Sequence, residues 1–248
     1  MLVPFPAPPK TGCLTRRRWL AHLGTCSLAI FSARSLLGNE PTPHAFHSSS
    51  DSDVWRGKSL DGWMTVDGQN VPDGWQADDG MIFLRKNGTT GGHIVTRAEF
   101  GDFELRFQWK IAPGGNSGLK YRVRTYGDRT LGCEYQIYDP NGKPVDPNNK
   151  TAALYDLYAP SEEAEARPVG EWNDAKIFVQ DNRIEHWLNG VCVVSAMVGD
   201  AEWERRVAES KFNDVENFGK NRKGRMMLTD HGSQVWYRDF EFRNLEPE

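Results

Sequence analysis

Short segments in which apolar and polar side chains alternate recur along most of the chain, and this period restricts the fold more than any other feature. Phe103–Ile111 is the clearest case, with Phe, Leu, Phe, Trp and Ile on one face and Glu, Arg, Gln and Lys on the other. A two-residue period is typical of a β-strand that buries one face. Turn residues separate these segments without a strand–helix–strand rhythm, which excludes a Rossmann fold and a barrel of alternating strands and helices.

The same period predicts further strands and a small number of tight turns. The strands are expected at Trp75–Ala77, Met81–Arg85, Ser117–Arg124, Glu134–Tyr138, Ala175–Asp181, Arg183–Leu188, Val191–Ala196, Met226–Thr229 and Val235–Arg243. Turns are expected at Asp78-Asp79-Gly80, Asp181-Asn182 and Asn189-Gly190, whose residues tolerate positive φ. One amphipathic stretch, 202–212, predicts a helix. We therefore predict an all-β, two-sheet jelly-roll β-sandwich with one short helix near 202–212.

The amino terminus has the pattern of a targeting segment. Arg16-Arg17-Arg18 precedes Trp19-Leu20 and a moderately apolar stretch, which resembles a twin-arginine export signal. We assign 1–38 to this signal, 39–53 to a flexible linker and 54–248 to a single domain, and expect export to the periplasm or the extracellular space. An amphipathic leader helix or a wrongly chosen start codon are the alternatives.

The charge of the remaining chain bears on its partners. Residues 1–50 carry five basic side chains and one acidic one, so acidic side chains outnumber basic ones 33 to 25 in the rest. An acidic body argues against nucleic acid, which requires clustered cations, and suits glycans or neutral small molecules better. A mean hydropathy of −0.63 and the lack of an 18-residue apolar run argue against an integral membrane span.

Two cysteines, Cys133 and Cys192, lie in strand-like segments of the predicted domain. They are compatible with one disulfide in an oxidising compartment, or with core positions as small apolar residues. No Cys-x-x-Cys pair is present, which argues against a structural zinc site.

Polar side chains on two consecutive predicted strands indicate a site. Lys120, Arg122 and Arg124 are expected to share one face, and Glu134 and Gln136 share a face of the next strand. If the two faces coincide, they form a cluster that binds sugars and supports acid–base chemistry; a solvated face is the alternative. A glycine-rich loop precedes the first strand, and its Asn116 and Ser117 are expected to point into a cleft, unless the loop is only a β-arch.

Histidines offer two further candidates. His231 lies in the Asp230-His231-Gly232-Ser233 loop, where it is interpreted as a general base, a metal ligand or a structural residue. His186 lies inside a predicted strand as a core histidine or a site residue. The sequence contains no His-x-His, His-Glu-x-x-His or Gly-x-Ser-x-Gly motif, so neither a metal site nor a serine nucleophile is indicated by spacing.

Eight short motifs occur in an order that resembles a known family. They are Asp61-Gly62-Trp63, Gly101-Asp102-Phe103-Glu104-Leu105, Gly115-Asn116-Ser117-Gly118, Glu134-Tyr135-Gln136-Ile137, Gly170-Glu171-Trp172-Asn173, His186-Trp187-Leu188-Asn189-Gly190, Ser210-Lys211-Phe212 and Asp230-His231-Gly232-Ser233. Over residues 53–246 the chain resembles the 3-keto-disaccharide hydrolase family, which implies a concanavalin-like or laminin-G-like jelly roll. Cys133, Pro140 and Thr229 depart from the family pattern, and Thr229 replaces a usual Gln.

The resemblance implies cleavage of 3-keto-glucosides and 3-keto-disaccharides. A C3 ketone acidifies the C2 proton, so that a base removes it, the enolate expels the C1 group and water adds to the alkene. Glu134 and His231 are candidate bases, with Glu134 as the first choice, and Arg122, Lys120 or a bound cation is the candidate electrophile. The substrate-binding candidates are Asn116, Ser117, Lys120, Gln136, Asp139, His186, Asp230 and Lys211.

The cofactor and the class of function stay open at this point. A divalent cation is one alternative, with Glu134 and His231 as its candidate ligands. The implied partners are the keto-sugar substrate and an upstream sugar 3-oxidoreductase that supplies it. The alternative functions are a non-catalytic carbohydrate-binding jelly-roll module and a structural or adhesive surface domain.

Overall fold

A computed structural model describes residues 57–85 and 91–247. The predicted export signal and linker lie outside these residues, so both stay predictions. None of the helices in this part of the chain is long and apolar enough to cross a membrane.

The described residues form two antiparallel sheets and one α-helix. The strands are β1 (Trp63–Thr65), β2 (Trp75–Asp78), β3 (Met81–Leu84), β4 (Ile94–Thr96), β5 (Phe103–Ile111), β6 (Asn116–Tyr126), β7 (Arg129–Tyr138), β8 (Asn173–Gln180), β9 (Arg183–Leu188), β10 (Val191–Met197), β11 (Arg225–Leu228) and β12 (Val235–Asn244). A 3₁₀ turn covers Pro147–Asn149, and helix α1 covers Ala201–Glu209. The sheet orders are β1-β4-β11-β6-β7 and β10-β9-β8-β5-β12-β3-β2. The predicted all-β two-sheet sandwich is confirmed.

Side-chain alternation explains how the two sheets pack. On β5 the apolar face of Phe103–Ile111 is buried, as predicted, and it contacts core residues of the other sheet such as Tyr121 and Tyr135. The predicted turns are present with left-handed residues, for example Asp79 at φ +47° and Asn189 at φ +48°. Each sheet therefore keeps an outer face on which polar side chains are displayed.

Helix α1 begins and ends at side-chain caps. The Asp200 carboxylate accepts a hydrogen bond from the Trp203 N–H at 2.7 Å, and Trp203 is the helix residue buried in the core. The helix ends at Glu209, earlier than predicted, because the Ser210 hydroxyl accepts from the N–H of Phe212. Phe212 still packs inward, with its ring stacked 4.0 Å from that of Phe218.

The two cysteines of the domain are buried in the core. Burial raises the pKa of the Cys133 thiol to about 12. Of the two alternatives left open by the sequence, the structure shows core positions for both and no disulfide between them.

Residues 151–158 run along the free edge of β7, and we call them the edge strap. The Ala152 N–H donates to the Gln136 carbonyl at 2.8 Å, and the Tyr155 N–H donates to the Glu134 carbonyl at 3.1 Å. An exposed edge strand is open to pairing with other chains. The strap therefore closes the edge of the strand that carries Glu134.

A buried histidine connects the edge strap to the core through two hydrogen bonds. His186 is fully buried, and its Nδ1 lies 3.0 Å from the Ala152 carbonyl, while its Nε2 lies 2.9 Å from the Tyr121 hydroxyl. Because a carbonyl only accepts, Nδ1 carries the proton and Nε2 accepts from Tyr121. Ala152 has φ +65°, a conformation that only the surrounding contacts hold in place.

The burial of His186 predicts a pH dependence of stability. Burial lowers the pKa of His186 from 6.5 to about 4, so the unfolded chain binds a proton that the folded chain excludes. We expect the free energy of unfolding to fall by up to about 3 kcal/mol as the pH drops from 6.5 to 4 through this group. Denaturant unfolding of the wild type and of His186→Gln at each pH measures this. The difference between the two proteins should shrink toward pH 4, and a constant difference would contradict the prediction.

Candidate active site

Glu134 lies at the centre of a polar cluster on the outer face of the five-stranded sheet. It is directly opposite Lys120 in the β6–β7 register, and the Lys120 Nζ lies 3.7 Å from its Oε2. Gly118 lies on the same face, where an added Cβ would come within 2.3 Å of Glu134 Oε1. Any side chain at position 118 would therefore displace the carboxylate, which explains the glycine in this strand.

The surroundings of Glu134 make its carboxylate a stronger base than usual. Burial raises its pKa, since only 6% of the residue is exposed. The positive charges of Lys120 and Lys211 and a contact with the Thr229 hydroxyl act in the opposite direction. A buried carboxylate with a raised pKa and a neighbouring ammonium group is suited to take a proton from carbon next to a carbonyl.

His231 and His93 lie on two different loops, near the Lys120 amine that pairs with this carboxylate. Their ring centroids are 5.6 Å apart in an edge-to-face arrangement. Partial burial, and to a smaller extent the charge of Lys120, lowers the pKa of both rings, so both are neutral near pH 7. We call Glu134, Lys120, Lys211, His93 and His231 the Glu134 cluster.

Asp230 holds the two histidine loops together. Its carboxylate accepts hydrogen bonds from the Gly92 N–H at 2.9 Å and the Gly232 N–H at 2.6 Å. Its own N–H donates to His93 Nδ1 at 3.0 Å, so neutral His93 carries its proton on Nε2. Asp230 was predicted to bind the substrate, but its carboxylate binds backbone amides of the two loops and so positions both imidazoles.

Other predicted residues lie at the same face. Gln136 is buried, and its amide donates to the Asn116 side-chain oxygen at 3.3 Å. The Lys211 amine lies 3.9 Å from the centre of the Tyr155 ring, and the Lys211 N–H donates to the Asp156 carboxylate at 2.8 Å. The edge strap therefore positions Lys211 as well as the edge of β7.

Arg122 does not share a face with Lys120, and this expectation was wrong. The β6–β7 register shifts between Tyr121 and Arg124, and Arg122 has φ +49°, so a bulge turns its side chain away. Its guanidinium is buried and bonds to Asp102 Oδ1 at 2.7 Å and to the Asp181 carbonyl at 3.1 Å. Arg122 ties strand ends together, and Lys120 is the cation that faces Glu134.

Three predicted binding residues also lie elsewhere. Ser117 points inward, where its buried hydroxyl donates to the Thr229 carbonyl at 2.6 Å. His186 is a core residue, as described above. The Asp139 carboxylate accepts from the Gly114 N–H at 2.7 Å, and it lines a separate cavity of about 330 Å³ next to the turn that it stabilises. Neither Ser117 nor His186 has access to a ligand.

His93 was missed by the sequence analysis. It follows Gly91-Gly92 and directly precedes the three-residue strand β4, which pairs with β11 from the far end of the chain. The glycine pair before a histidine was the available signal. The pairing that brings His93 to His231 is not readable from local spacing.

No group of three or more His, Cys, Asp or Glu side chains arranged to hold a metal ion occurs among residues 57–85 and 91–247. Within the Glu134 cluster, Lys120 already supplies a positive charge next to the carboxylate. The divalent cation therefore stays a prediction, and no step below uses it.

Comparison with known proteins gives the family of the chain. Residues 50–243 match the family described as the 3-keto-alpha-glucoside-1,2-lyase-like domain. The chain belongs to this family. The family resemblance predicted from the sequence motifs is therefore confirmed, and the match spans all residues of the Glu134 cluster.

Several known proteins share sequence or fold with the chain. A 3-keto-disaccharide hydrolase from Bacteroides thetaiotaomicron is 30% identical over 226 residues, which are 78% of each chain. A candidate glycosyl hydrolase structure from Parabacteroides distasonis has a TM-score of 0.69 at 27% identity and covers 83% of this chain and 100% of its own. A Bacillus subtilis protein of unknown function with a galectin-like fold shares only the fold, with a TM-score of 0.51 at 11% identity over 77% of this chain and 94% of its own.

Proposed function

We propose that this protein is an exported enzyme that cleaves the glycosidic bond of 3-keto-glucosides and 3-keto-disaccharides. The observation that carries the proposal is the Glu134 cluster, in which a buried carboxylate of raised pKa pairs with an ammonium group and two neutral imidazoles lie near that ammonium group. Membership of the family supports the carbohydrate substrate. Because the substrate carries a ketone at C3, a sugar 3-oxidoreductase must supply it.

The first half of the proposed reaction is an elimination. The Glu134 carboxylate takes the C2 proton, and the electron pair of the C–H bond forms an enolate whose oxygen faces the Lys120 ammonium group. The enolate then re-forms the C3 ketone, a double bond forms between C1 and C2, and the C1–O bond breaks. The protonated Glu134 gives its proton to the leaving oxygen.

The second half is a hydration of the alkene. Neutral His231 takes a proton from water as the hydroxide adds to C1, and C2 receives a proton from the same group. The bonds broken in the elimination are thus replaced by one C–O and one C–H bond from water. The route needs no pair of carboxylates across the bond, in contrast to common glycosidases.

Isotope incorporation tests this route. When a 3-keto-disaccharide is cleaved in D₂O, we expect the released 3-keto-glucose to carry deuterium at C2. Early samples are reduced with borohydride, which prevents later exchange, and analysed by mass spectrometry. As a control, 3-keto-glucose is incubated in D₂O with the Glu134→Gln variant, which measures the exchange at C2 that does not depend on the Glu134 carboxylate.

Each outcome of this experiment selects one function. Cleavage without deuterium at C2 would indicate direct hydrolysis and exclude the elimination. Saturable binding without release of a monosaccharide would instead indicate the non-catalytic carbohydrate-binding module.

A further inference from the structure

The outer face of the seven-stranded sheet contains a depression on the opposite side of the sandwich from the Glu134 cluster. It spans β9, β8, β5 and β12 and has a volume of about 430 Å³. Its lining includes Arg106, Gln108, Lys176, Trp187, Asp239 and Glu241. Pockets of this size accommodate small organic ligands.

A β-bulge forms one wall of this depression. The β12–β5 register shifts between Arg238 and Glu241, and Asp239 in the bulge has φ +52°. Phe240 turns inward and stacks on Phe107 with ring centroids 5.9 Å apart. The packing of Phe240 in the core therefore keeps Asp239 in its strained backbone conformation. As a result, the side chains of Asp239 and Glu241 are exposed at the rim of the depression.

Trp187 forms the opposite wall, and its ring is fixed in place. The indole N–H donates to Glu185 Oε2 at 3.0 Å, and the Lys176 amine lies 3.5 Å from the ring centroid. The Lys176 amine covers one face of the half-buried indole, and the other face is a suitable platform for the C–H face of a sugar ring.

Two residues that line the depression between the walls, Gln108 and Asp174, are held by a polar network that extends beyond it to Arg238 and Arg167. The Arg238 guanidinium donates to Gln108 Oε1 at 2.9 Å, and the Gln108 amide donates to Asp174 Oδ1 at 2.7 Å. Arg167 holds the second Asp174 oxygen at 2.9 Å. These groups are oriented before any ligand arrives, which reduces the entropic cost of binding.

We infer that this depression is a second binding site, for a neutral oligosaccharide. Cations (Arg106 and Lys176) and carboxylates (Asp239 and Glu241) line it together, so a charged ligand would meet groups of its own sign. Sugar hydroxyls both donate and accept hydrogen bonds and therefore match a lining of mixed charge. The site would retain the protein on a glycan, and it does not depend on the proposed reaction at Glu134.

Titration with neutral and charged oligosaccharides tests the inference. The neutral probes are maltohexaose and cellohexaose, and trigalacturonic acid is the anionic comparison. Binding of each probe is measured by calorimetry and by the amide chemical shifts of the isotopically labelled protein. We expect at least one neutral probe to bind saturably, with shifts on β5, β8, β9 and β12. Trp187→Ala should weaken that binding at least tenfold while turnover of a 3-keto-disaccharide is unchanged.

Matched variants distinguish binding in this depression from binding elsewhere on the protein. Trp236 lies on the same outer face but does not line the depression, so Trp236→Ala should change the affinity less than twofold. Glu241→Gln changes only an exposed residue at the rim. A loss of affinity in this variant would therefore not result from misfolding. Glu134→Gln should leave this binding intact, whatever it does to turnover.

Four results would overturn the inference. The first is that neither neutral probe binds saturably, and the second is that Trp236→Ala weakens the binding as much as Trp187→Ala does. The third is that binding is lost only in Glu134→Gln, and the fourth is that the anionic probe binds more tightly than the neutral probes. The third result would place the sugar at the Glu134 cluster, and it would leave the proposed reaction standing.

Discussion

Glu134→Gln is expected to lower kcat/KM for a 3-keto-glucoside by roughly 10²–10⁴-fold, the range lost when a general base is removed. The amide has the shape of the carboxylate but does not take a proton from C2. The fold should persist, because Lys120 keeps some contact with water and the amide fits the space over Gly118. Initial rates and the thermal midpoint, measured on the same preparation, check both statements.

Glu104→Gln is the matched control for this result. Glu104 is also buried, and it pairs with Arg106 and Arg243 at 3.0 Å each, but on the outer face of the other sheet. This variant should lose stability and keep its activity. Full activity of Glu134→Gln on a 3-keto-glucoside would remove Glu134 from the role of base.

His231→Ala should strongly lower turnover to the hydrated keto sugar and leave the fold intact. The His231 ring lies in an exposed loop, so its removal costs little core packing, whereas the proposed hydration loses the group that takes a proton from water. We expect a loss of roughly 10²–10⁴-fold in kcat, as for other acid–base residues, with partial recovery on addition of imidazole.

The thermal midpoint decides how the His231→Ala result is interpreted. An unchanged midpoint with lost turnover supports a role in the reaction. A variant that unfolds would mark His231 as structural, and one that is folded and fully active would exclude it from the site.

The strands were predictable from the sequence because their signal is local. The bounds of Phe103–Ile111 and Arg183–Leu188 agree with the structure, since alternation and turn residues determine both ends. The face of Glu134 and Gln136 follows from the same rule. Family motifs then added Lys211, whose proximity to Glu134 no spacing rule indicates.

The errors have one physical origin, which is that alternation assumes an uninterrupted strand. The bulge after Tyr121 reverses the side of Arg122, and a bulge is decided by tertiary contacts such as the one with Asp102. Similarly, His93 meets His231 only because strands distant in sequence pair with each other. Such long-range pairing carries no periodic signal in a single sequence.

The edge strap determines where the chain tolerates a change in length. Residues 140–150 connect β7 to the strap, and inserting residues there lengthens a loop at a small entropic cost. An insertion between Ala152 and Tyr155 would instead shift the pairing with Gln136 and Glu134 by one residue. Engineering of substrate range through loop grafts should therefore join new segments before residue 151, and leave the eight residues that follow at their present length.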